Sequence, residues 1–279
     1  EEKQMDNIRK LQQVLPEQIE AILIQDAANR FYLTGMKSSA GTVLVTRKNA
    51  WLIIDFRYFE EAQQKVKNCT VTEEQQLFHQ VSSMLLKTGI KKLSIHSGRM
   101  TISQCQQMEE AMPQIEIDST NQFAEVMDGI RKEKDETEIE NHRHAQQITD
   151  TVFSQICGFI QPGITELEIA QEIGTSLTKL GSDDRHFNFI VASGPNSSLP
   201  HGFATNRPIQ NGDFVTMDFG AVCGGYLADM TRTVAVGSVT EEQKRIYNIV
   251  LEAQKKAFDK IRSGVICREV DAEARNYIY

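Results

Sequence analysis

Hydrophobic and polar positions alternate along the first 120 residues as they do in α/β domains. Ala21–Ile24 is a short apolar run that predicts a buried strand, and the runs 42–46 and 51–54 flank a polar turn and predict a hairpin. Apolar residues at helical spacing predict helices over 56–66, 77–87 and 102–112, and further short apolar runs predict strands over 92–96 and 115–117. We therefore expect an α/β unit at the N-terminal side of the chain.

The pattern changes near residue 121 to a long charged helical stretch that runs to residue 160 and is broken at Pro162 and Gly163. This change predicts a first domain of residues 1–122 and a second of residues 123–279. Further along, Thr165 with Glu168 and Thr240 with Gln243 have the spacing of capping boxes and predict the starts of two helices. The first of these should stop at Gly181, and the last ten residues predict one more amphipathic helix.

Two β-rich runs, 214–222 and 226–234, predict a hairpin in the second domain, because a glycine-containing turn separates them. The alternation places apolar side chains on one face and Asp218 and Asp229 on the other. Two buried carboxylates on one face repel each other unless a cation lies between them. This face is therefore a candidate metal site, although paired aspartates on a solvated hairpin are also common.

The register of this hairpin has two solutions in the sequence. A turn at 223–224 places Asp218 directly opposite Asp229, with Cβ atoms about 5 Å apart. A turn one residue later places Asp218 opposite Thr231 and Asp229 opposite Gly220, which separates the pair. The residues alone leave both registers open.

Composition narrows the class of protein. The 40% hydrophobic and 24% charged residues are ordinary for globular chains, and the net charge of −8 argues against nucleic-acid binding. The five cysteines are scattered without a C-x-x-C pair, which indicates free thiols in a reducing cytoplasm. No uncharged apolar run reaches the ~18 residues of a membrane span. Met5 resembles a natural start, which suggests that the four residues before it are a leader or tag remnant.

Histidines outside the second domain's motifs do not suggest a metal site. His79 and His96 have no potential ligands at metal-binding spacing, so structural or surface roles are expected. His142 and His144 are two residues apart and do not share a helix face.

Several ordered motifs resemble one enzyme family, the aminopeptidase P and prolidase group of pita-bread metallopeptidases. The first domain is similar to creatinase-type N-terminal domains, and the resemblance covers essentially the whole chain. The matching segments are Phe31-Tyr32-Leu33-Thr34-Gly35, Asp55-Phe56-Arg57-Tyr58, Ser193-Gly194-Pro195-Asn196-Ser197, Pro200-His201-Gly202, Met217-Asp218-Phe219-Gly220-Ala221, Gly225-Tyr226 and Asp229-Met230-Thr231-Arg232-Thr233.

The resemblance implies an α/β creatinase-like N-terminal domain followed by part of an α+β pita-bread catalytic domain. It implies two divalent ions, Mn with Co or Zn as alternatives, held by two Asp, one His and two Glu. In this sequence Asp218 matches the chelating aspartate, Asp229 the bridging aspartate, and His201 the loop histidine that hydrogen-bonds substrate and helps to move protons. The implied reaction is attack of a metal-activated hydroxide on peptides with proline at the second position, by a homodimer.

Three departures from the family pattern bear on activity. His186 follows the charged residues 183–185 where a small residue is often found, and Ala228 replaces a common serine before Asp229. No histidine follows His201, so the family's metal-binding histidine is absent. With two of five expected ligands, we expect a C-terminally truncated and inactive fragment. Aminopeptidase and dipeptidase activities are not separated by these residues.

Other members of the wider fold group are less consistent with the residues. Methionine aminopeptidase shares the two aspartates but would not need the creatinase-like first domain. Creatinase is metal-independent, which disagrees with the retention of Asp218 and Asp229. The alternative from another functional class is a catalytically dead pita-bread protein that acts as a binding module.

Overall fold

A computed structural model describes residues 6–120, 122–183 and 189–279. The chain divides into two compact units, Glu1–Lys134 and Asp135–Tyr279, and each unit is described separately.

The first unit is a six-stranded mixed sheet with helices on both faces. Its strands are β1 (Ala21–Ile24), β2 (Thr42–Thr46), β3 (Ala50–Ile54), β4 (Thr70–Glu73), β5 (Lys92–Ile95) and β6 (Glu116–Asp118). Its helices are α1 (Asn7–Val14), α2 (Ala27–Thr34), α3 (Phe56–Lys65), α4 (Leu77–Lys87), α5 (Ile102–Ala111) and α6 (Gln122–Lys132). The elements predicted between residues 21 and 117 are confirmed, whereas α1, α2 and β4 were not predicted.

The strand order is β4-β3-β2-β1-β5-β6. Strands β1, β2 and β3 pair antiparallel, and the predicted hairpin of β2 and β3 is confirmed. The outer pairings are parallel. Because side chains alternate across a strand, Ile22 and Ile24 enter one core while Ala21 and Leu23 enter the other. Helices α1, α2, α3 and α6 cover the first of these cores, and α4 and α5 cover the second.

The two compact units divide after Lys134, which follows the end of α6. Helix α6 buries Phe123 and Met127 in a core of the first unit, so it belongs with that unit. The charged stretch 121–160 is also not one helix. One helix ends at Lys132, and a second begins at Glu136 after the N-cap residue Asp135, which forms a capping box with Glu138.

The second unit combines long helices with small antiparallel sheets. Its helices are α7 (Glu136–Phe159), α8 (Glu166–Lys179), α9 (Glu241–Lys260) and α10 (Cys267–Ile278). Its strands are β7 (Ile190–Ser193), β8 (Phe214–Phe219), β9 (Val222–Cys223), β10 (Tyr226–Leu227) and β11 (Met230–Ala235). Both predicted capping boxes, at Thr165 and Thr240, are confirmed. Helix α8 ends one turn residue before Gly181, as expected.

The core of the second unit lies between one face of the sheet β11-β8-β7 and the helices α7 and α8. Strand β8 alternates strictly between buried and half-buried positions. Its buried residues Val215, Met217 and Phe219 pack on Ile148 and Ile173 from the two helices, among other core side chains. The opposite face of the same strand is therefore left for polar residues, and it carries the candidate site.

Candidate metal centre

Asp218 lies on the central strand of the three-stranded sheet. Strand β8 pairs with β11 on one side and β7 on the other, so that Asp218 faces Thr231 and Ile190 across the two ladders. The side chain is half-buried and belongs to the polar face of β8. It has no hydrogen-bond or salt-bridge partner among the described residues. Its two oxygens are therefore available to a ligand.

Asp229 lies immediately before β11, at a break in strand pairing. The ladders β8-β11 and β9-β10 are separated by two residues on each side of the hairpin, 220–221 and 228–229. Asp229 is exposed in this gap. One backbone bond bridges the gap, from the Ala228 N–H to the Ala221 carbonyl at 2.9 Å. The Asp229 carboxylate likewise has no partner in the part of the chain that the structure describes.

The second of the two predicted registers is present. Asp218 pairs with Thr231, and the β9-β10 pairing of Cys223 with Tyr226 makes Gly224 and Gly225 the two turn residues. The two aspartates are therefore not directly opposed. Continued across the gap, the same register leaves them as diagonal neighbours on one face, with backbones roughly 7–8 Å apart, which is close enough for both carboxylates to approach shared cations.

The turn geometry explains this register. Gly224 and Gly225 have φ values of 55° and 81°, as a type I′ turn requires at both central positions. A turn at 223–224 would place Cys223 in the left-handed region, where its Cβ atom costs energy. The Gly-Gly pair was therefore a signal in the sequence that decides the register.

A close backbone approach at Gly220 holds the two aspartate-bearing segments together. A Cβ atom built on Gly220 would lie 1.7 Å from the Ala228 carbonyl oxygen and 2.6 Å from its carbon. Both of these atoms are backbone, so a side chain cannot be accommodated without moving one strand away from the other. Glycine at this position therefore permits the close approach of the two segments that carry Asp218 and Asp229.

The first turns of α7 fix the hairpin that leads to Asp229. The Tyr226 hydroxyl donates to the buried Glu138 carboxylate at 2.6 Å, and the His142 ring stacks edge-on against Tyr226 with centroids 5.2 Å apart. The His142 Nδ1 atom also lies 3.1 Å from the Leu227 carbonyl oxygen. These contacts give His142 a structural role and anchor the chain two residues before Asp229.

His201 lies in the loop that connects β7 to the segment before β8. It is exposed in a turn closed by the Gly202 N–H, which donates to the Leu199 carbonyl at 3.1 Å. Two residues later, Phe203 pairs with Ile190, the same residue that pairs with Asp218 on its other side. The chain two residues after His201 therefore runs along the edge of β7, beside Ile190.

A buried carboxylate that the sequence did not single out closes the base of this loop. Glu166, in the first turn of α8, is 0% exposed and accepts hydrogen bonds from Ser193, Asn196 and Thr205. Burial alone would raise the pKa of Glu166, but the hydrogen bonds from Thr205 and Ser193 outweigh it, and the pKa is lowered. In the sequence Glu166 was only one of the two residues between the members of a capping box, and no local pattern indicates its partners.

An ion pair packs against the same loop at Gly194. Arg207 and Asp213 form a two-bond pair, with Nη1 to Oδ2 at 2.6 Å and Nη2 to Oδ1 at 3.0 Å. Gly194 packs against this pair, because its Cβ atom would lie 2.5 Å from Asp213 Oδ1. Its φ of 49° is also in the region that favours glycine. The glycine of the Ser-Gly-Pro-Asn-Ser motif is thus required by both space and conformation.

The donor chemistry of the polar face fits part of a divalent-metal site. Two unpartnered carboxylates are hard oxygen ligands, which suit Mn, Mg or Zn ions. The described residues contain no group of three or more His, Cys, Asp or Glu side chains that could hold a metal. Asp218 and Asp229 could therefore supply two ligands to a metal site, which would need further ligands.

The remaining histidines and cysteines take no part in this face. His79 is exposed, and His96 contacts Phe123 edge-on in the first unit, as the expectation of structural or surface roles requires. The predicted variation at His186 lies outside the described residues. All five cysteines are free, as expected, and burial raises the pKa of Cys69 to about 11. Among the described residues, no helix is both long and apolar enough to cross a membrane.

Comparisons with known proteins identify the family of each unit. Residues 140–279 match the model of "Metallopeptidase family M24", and residues 8–131 match that of "Creatinase/Prolidase N-terminal domain". The uncharacterized peptidase YqhT of Bacillus subtilis is 36% identical over 261 residues, which cover 93% of this chain and 73% of that protein.

Two solved structures are similar over nearly the whole chain. An Xaa-Pro dipeptidase from Bacillus anthracis has a TM-score of 0.90 at 37% identity, covering 97% of this chain and 76% of that one. An X-Pro aminopeptidase from Thermotoga maritima has a TM-score of 0.87 at 30% identity, covering 96% of this chain and 77% of that one. The predicted fold class is confirmed, and the chain belongs to the Xaa-Pro peptidase and prolidase group of metallopeptidase family M24, a family of hydrolases.

Proposed function

We propose that the second unit contributes Asp218 and Asp229 to a dinuclear metal centre that hydrolyses the bond before proline in Xaa-Pro peptides. The observation that carries this proposal is the pair of unpartnered carboxylates on one polar face, diagonal to each other in the ladder register. Both carboxylates are open to a ligand on this face, and a cation bound between them would relieve their mutual repulsion.

Each residue has a distinct role in this proposal. Asp218 on the central strand and Asp229, exposed in the gap before β11, would supply carboxylate ligands to the metal centre. When bound, the two ions polarise the scissile carbonyl and lower the pKa of water. His201 donates a hydrogen bond to the substrate and moves a proton near the reacting bond, which its exposed position beside the sheet edge allows.

Two carboxylates are too few to hold two ions tightly, so we propose that this chain alone turns over substrate poorly. Divalent cations of this class take four to six or more ligand atoms. The described residues offer no group of three or more potential ligands, and the sequence has no histidine after His201. Full activity requires the ligands that complete the site.

The metal, the substrates, the cellular location and the oligomeric state are also part of this proposal. We propose Mn²⁺ as the metal, because oxygen-rich ligand sets suit it, and peptides with proline in second position as substrates. The five free thiols support a reducing, cytoplasmic location, and the net charge of −8 supports the absence of nucleic-acid partners. A homodimer is proposed from the family resemblance alone.

The proposal is tested by hydrolysis of an Xaa-Pro dipeptide and an Xaa-Pro-containing tripeptide with added Mn²⁺. The chain is compared with a version extended through its natural downstream sequence. We expect cleavage by the extended version only, and the preferred substrate then distinguishes a dipeptidase from an aminopeptidase. If the folded extended protein cleaves neither peptide, the proposal is wrong and the binding-module alternative replaces it.

A further inference from the structure

The loop that carries His201 is held at both ends by one side chain. On the β7 side, Glu166 Oε1 accepts the Ser193 N–H and the Ser193 hydroxyl, both at 2.7 Å. On the far side, Oε2 accepts the Thr205 N–H at 3.0 Å and the Thr205 hydroxyl at 2.6 Å. The Asn196 amide lies between them and donates to both oxygens, at 3.1 and 3.2 Å. A single carboxylate thus joins residues 193 and 205 across the loop.

The chemistry of these partners requires a carboxylate. Every contact on the two oxygens comes from an N–H, NH₂ or O–H donor, and an ionised carboxylate is an acceptor only. A glutamine at position 166 would keep one acceptor oxygen, but its NH₂ group would face the donors of the other end of the loop. One end would then lose its anchor.

Backbone hydrogen bonds join the start of α8, where Glu166 lies, to residues 205–207 after the loop. The Glu166 N–H donates to the Arg207 carbonyl at 3.1 Å, and the next N–H of α8, from Leu167, donates to the Thr205 carbonyl at 3.1 Å. The Arg207 guanidinium in turn donates to the Ser193 hydroxyl and to Asp213. We call the hydrogen bonds between Glu166 and residues 193 and 205 the clamp. The clamp is therefore fixed to the start of α8 and to the chain on both sides of the loop.

We propose that Glu166 is a positioning residue for His201: by joining the two ends of the 193–205 loop, it sets where the exposed imidazole stands relative to the aspartate-bearing face. This inference rests on the proposed function only for the role of His201. The clamp itself is a property of the loop, and it can be measured without substrate or metal.

The first test is amide hydrogen exchange on Glu166→Gln in the chain as it stands. The matched control is Glu168→Gln, two residues away in the same turn, because a glutamine can still accept the bonds that the Glu168 side chain receives from the Thr165 N–H and hydroxyl. We expect the Ser193 and Thr205 amides to exchange at least about 10-fold faster in Glu166→Gln, consistent with loss of a charge-assisted bond. Amides of Val215 and Met217 on β8 should change far less, and Glu168→Gln should match the parent protein.

The second test is kinetic and uses the protein extended through its natural downstream sequence, with Mn²⁺ and an Xaa-Pro peptide. Misplacement of His201 should lower kcat by roughly 10- to 100-fold because proton transfer needs exact geometry, and it should raise KM by a smaller factor because the hydrogen bond to substrate is weakened. Thr205→Val removes only one hydroxyl donor and should give a smaller loss of kcat than Glu166→Gln. The pH profile of kcat should also shift in Glu166→Gln, since the surroundings of the His201 imidazole change.

Two results would overturn the inference. One is unchanged exchange at Ser193 and Thr205 in Glu166→Gln, which would show that the carboxylate does not clamp the loop. The other is faster exchange with unchanged kcat and pH profile, which would reduce Glu166 to a structural residue. If the extended protein without substitutions shows no hydrolysis while the exchange result holds, the proposed function has failed and the clamp has not.

Discussion

At the residue scale, carboxylates of this chain fall into two kinds. Asp218 and Asp229 have no partner among the described residues, whereas Asp213 is paired with Arg207 through two hydrogen bonds. A paired carboxylate contributes to stability, and an unpartnered one beside a like charge does not. The two kinds should therefore respond oppositely to removal of charge.

We predict that Asp218→Asn and Asp229→Asn leave the free energy of unfolding of the metal-free protein unchanged or slightly higher. Asp213→Asn should lower it by about 3 kcal/mol, because Arg207 is left partly buried without its partner. Urea unfolding of the three variants in the presence of a chelator measures this. A comparable loss for Asp218→Asn would mean that its carboxylate has a structural partner after all.

The pH dependence of stability should also reveal Glu166. Its pKa is lowered in the folded protein, so its contribution is present above the ordinary value of 4.5 and is lost as the pH falls through the lower folded value. We predict that the parent protein loses more stability than Glu166→Gln between pH 5 and acid. Thermal unfolding of both proteins across this range is the measurement, and parallel curves would contradict the prediction.

At the scale of elements, the site depends on how β8 and β11 are spaced. We predict that Gly220→Ala destabilises the second unit by about 3 kcal/mol or more, because the added Cβ would meet the Ala228 carbonyl at 1.7 Å and backbone must move. Gly158→Ala is the control, since that helical glycine has open space and alanine favours helices by about 1 kcal/mol. Chemical unfolding distinguishes the two, and a neutral Gly220→Ala would show that the strands are further apart than described.

The hairpin before Asp229 is held by the bond from Tyr226 to Glu138. Removing the hydroxyl in Tyr226→Phe should cost roughly 1.5–3 kcal/mol, as expected for a hydrogen bond to a charged group. Tyr247→Phe on α9 is the matched control, because its ring contact with Phe214 survives the change. We expect the control to remain within about 0.5 kcal/mol of the parent protein. Equal effects of the two changes on the unfolding midpoint would argue against an anchoring role for Tyr226.

Local patterns were sufficient for most elements and for the polar face, but long-range contacts were not visible in them. Capping boxes at Thr165 and Thr240 and the alternation along β8 depend on neighbours in sequence, so they were predictable. The hairpin register was also contained in the Gly-Gly pair, although it was left open. Glu166, in contrast, meets partners 27 to 39 residues away, and only the folded chain brings them together.

At the scale of the whole molecule, the two units carry separate evidence for one family. The creatinase-type unit explains the first motifs, and the M24 unit contains the aspartates and His201. Helix α6 follows the change in composition near residue 122, and it is charged on one side while its apolar side packs in the first core. Composition reports exposed surface, whereas membership of a unit depends on the buried face.

The most direct measurement of the central claim is Mn²⁺ titration by calorimetry on the protein extended through its natural downstream sequence. The claim predicts that the protein binds two ions. It also predicts that Asp218→Asn and Asp229→Asn each lower the affinity for Mn²⁺ by more than about 100-fold, which exceeds the roughly 10- to 100-fold effect usual for residues that only orient ligands. Asp259→Asn on the exposed side of α9 should bind as the parent does. Unchanged Mn²⁺ binding in the two aspartate variants would contradict the account.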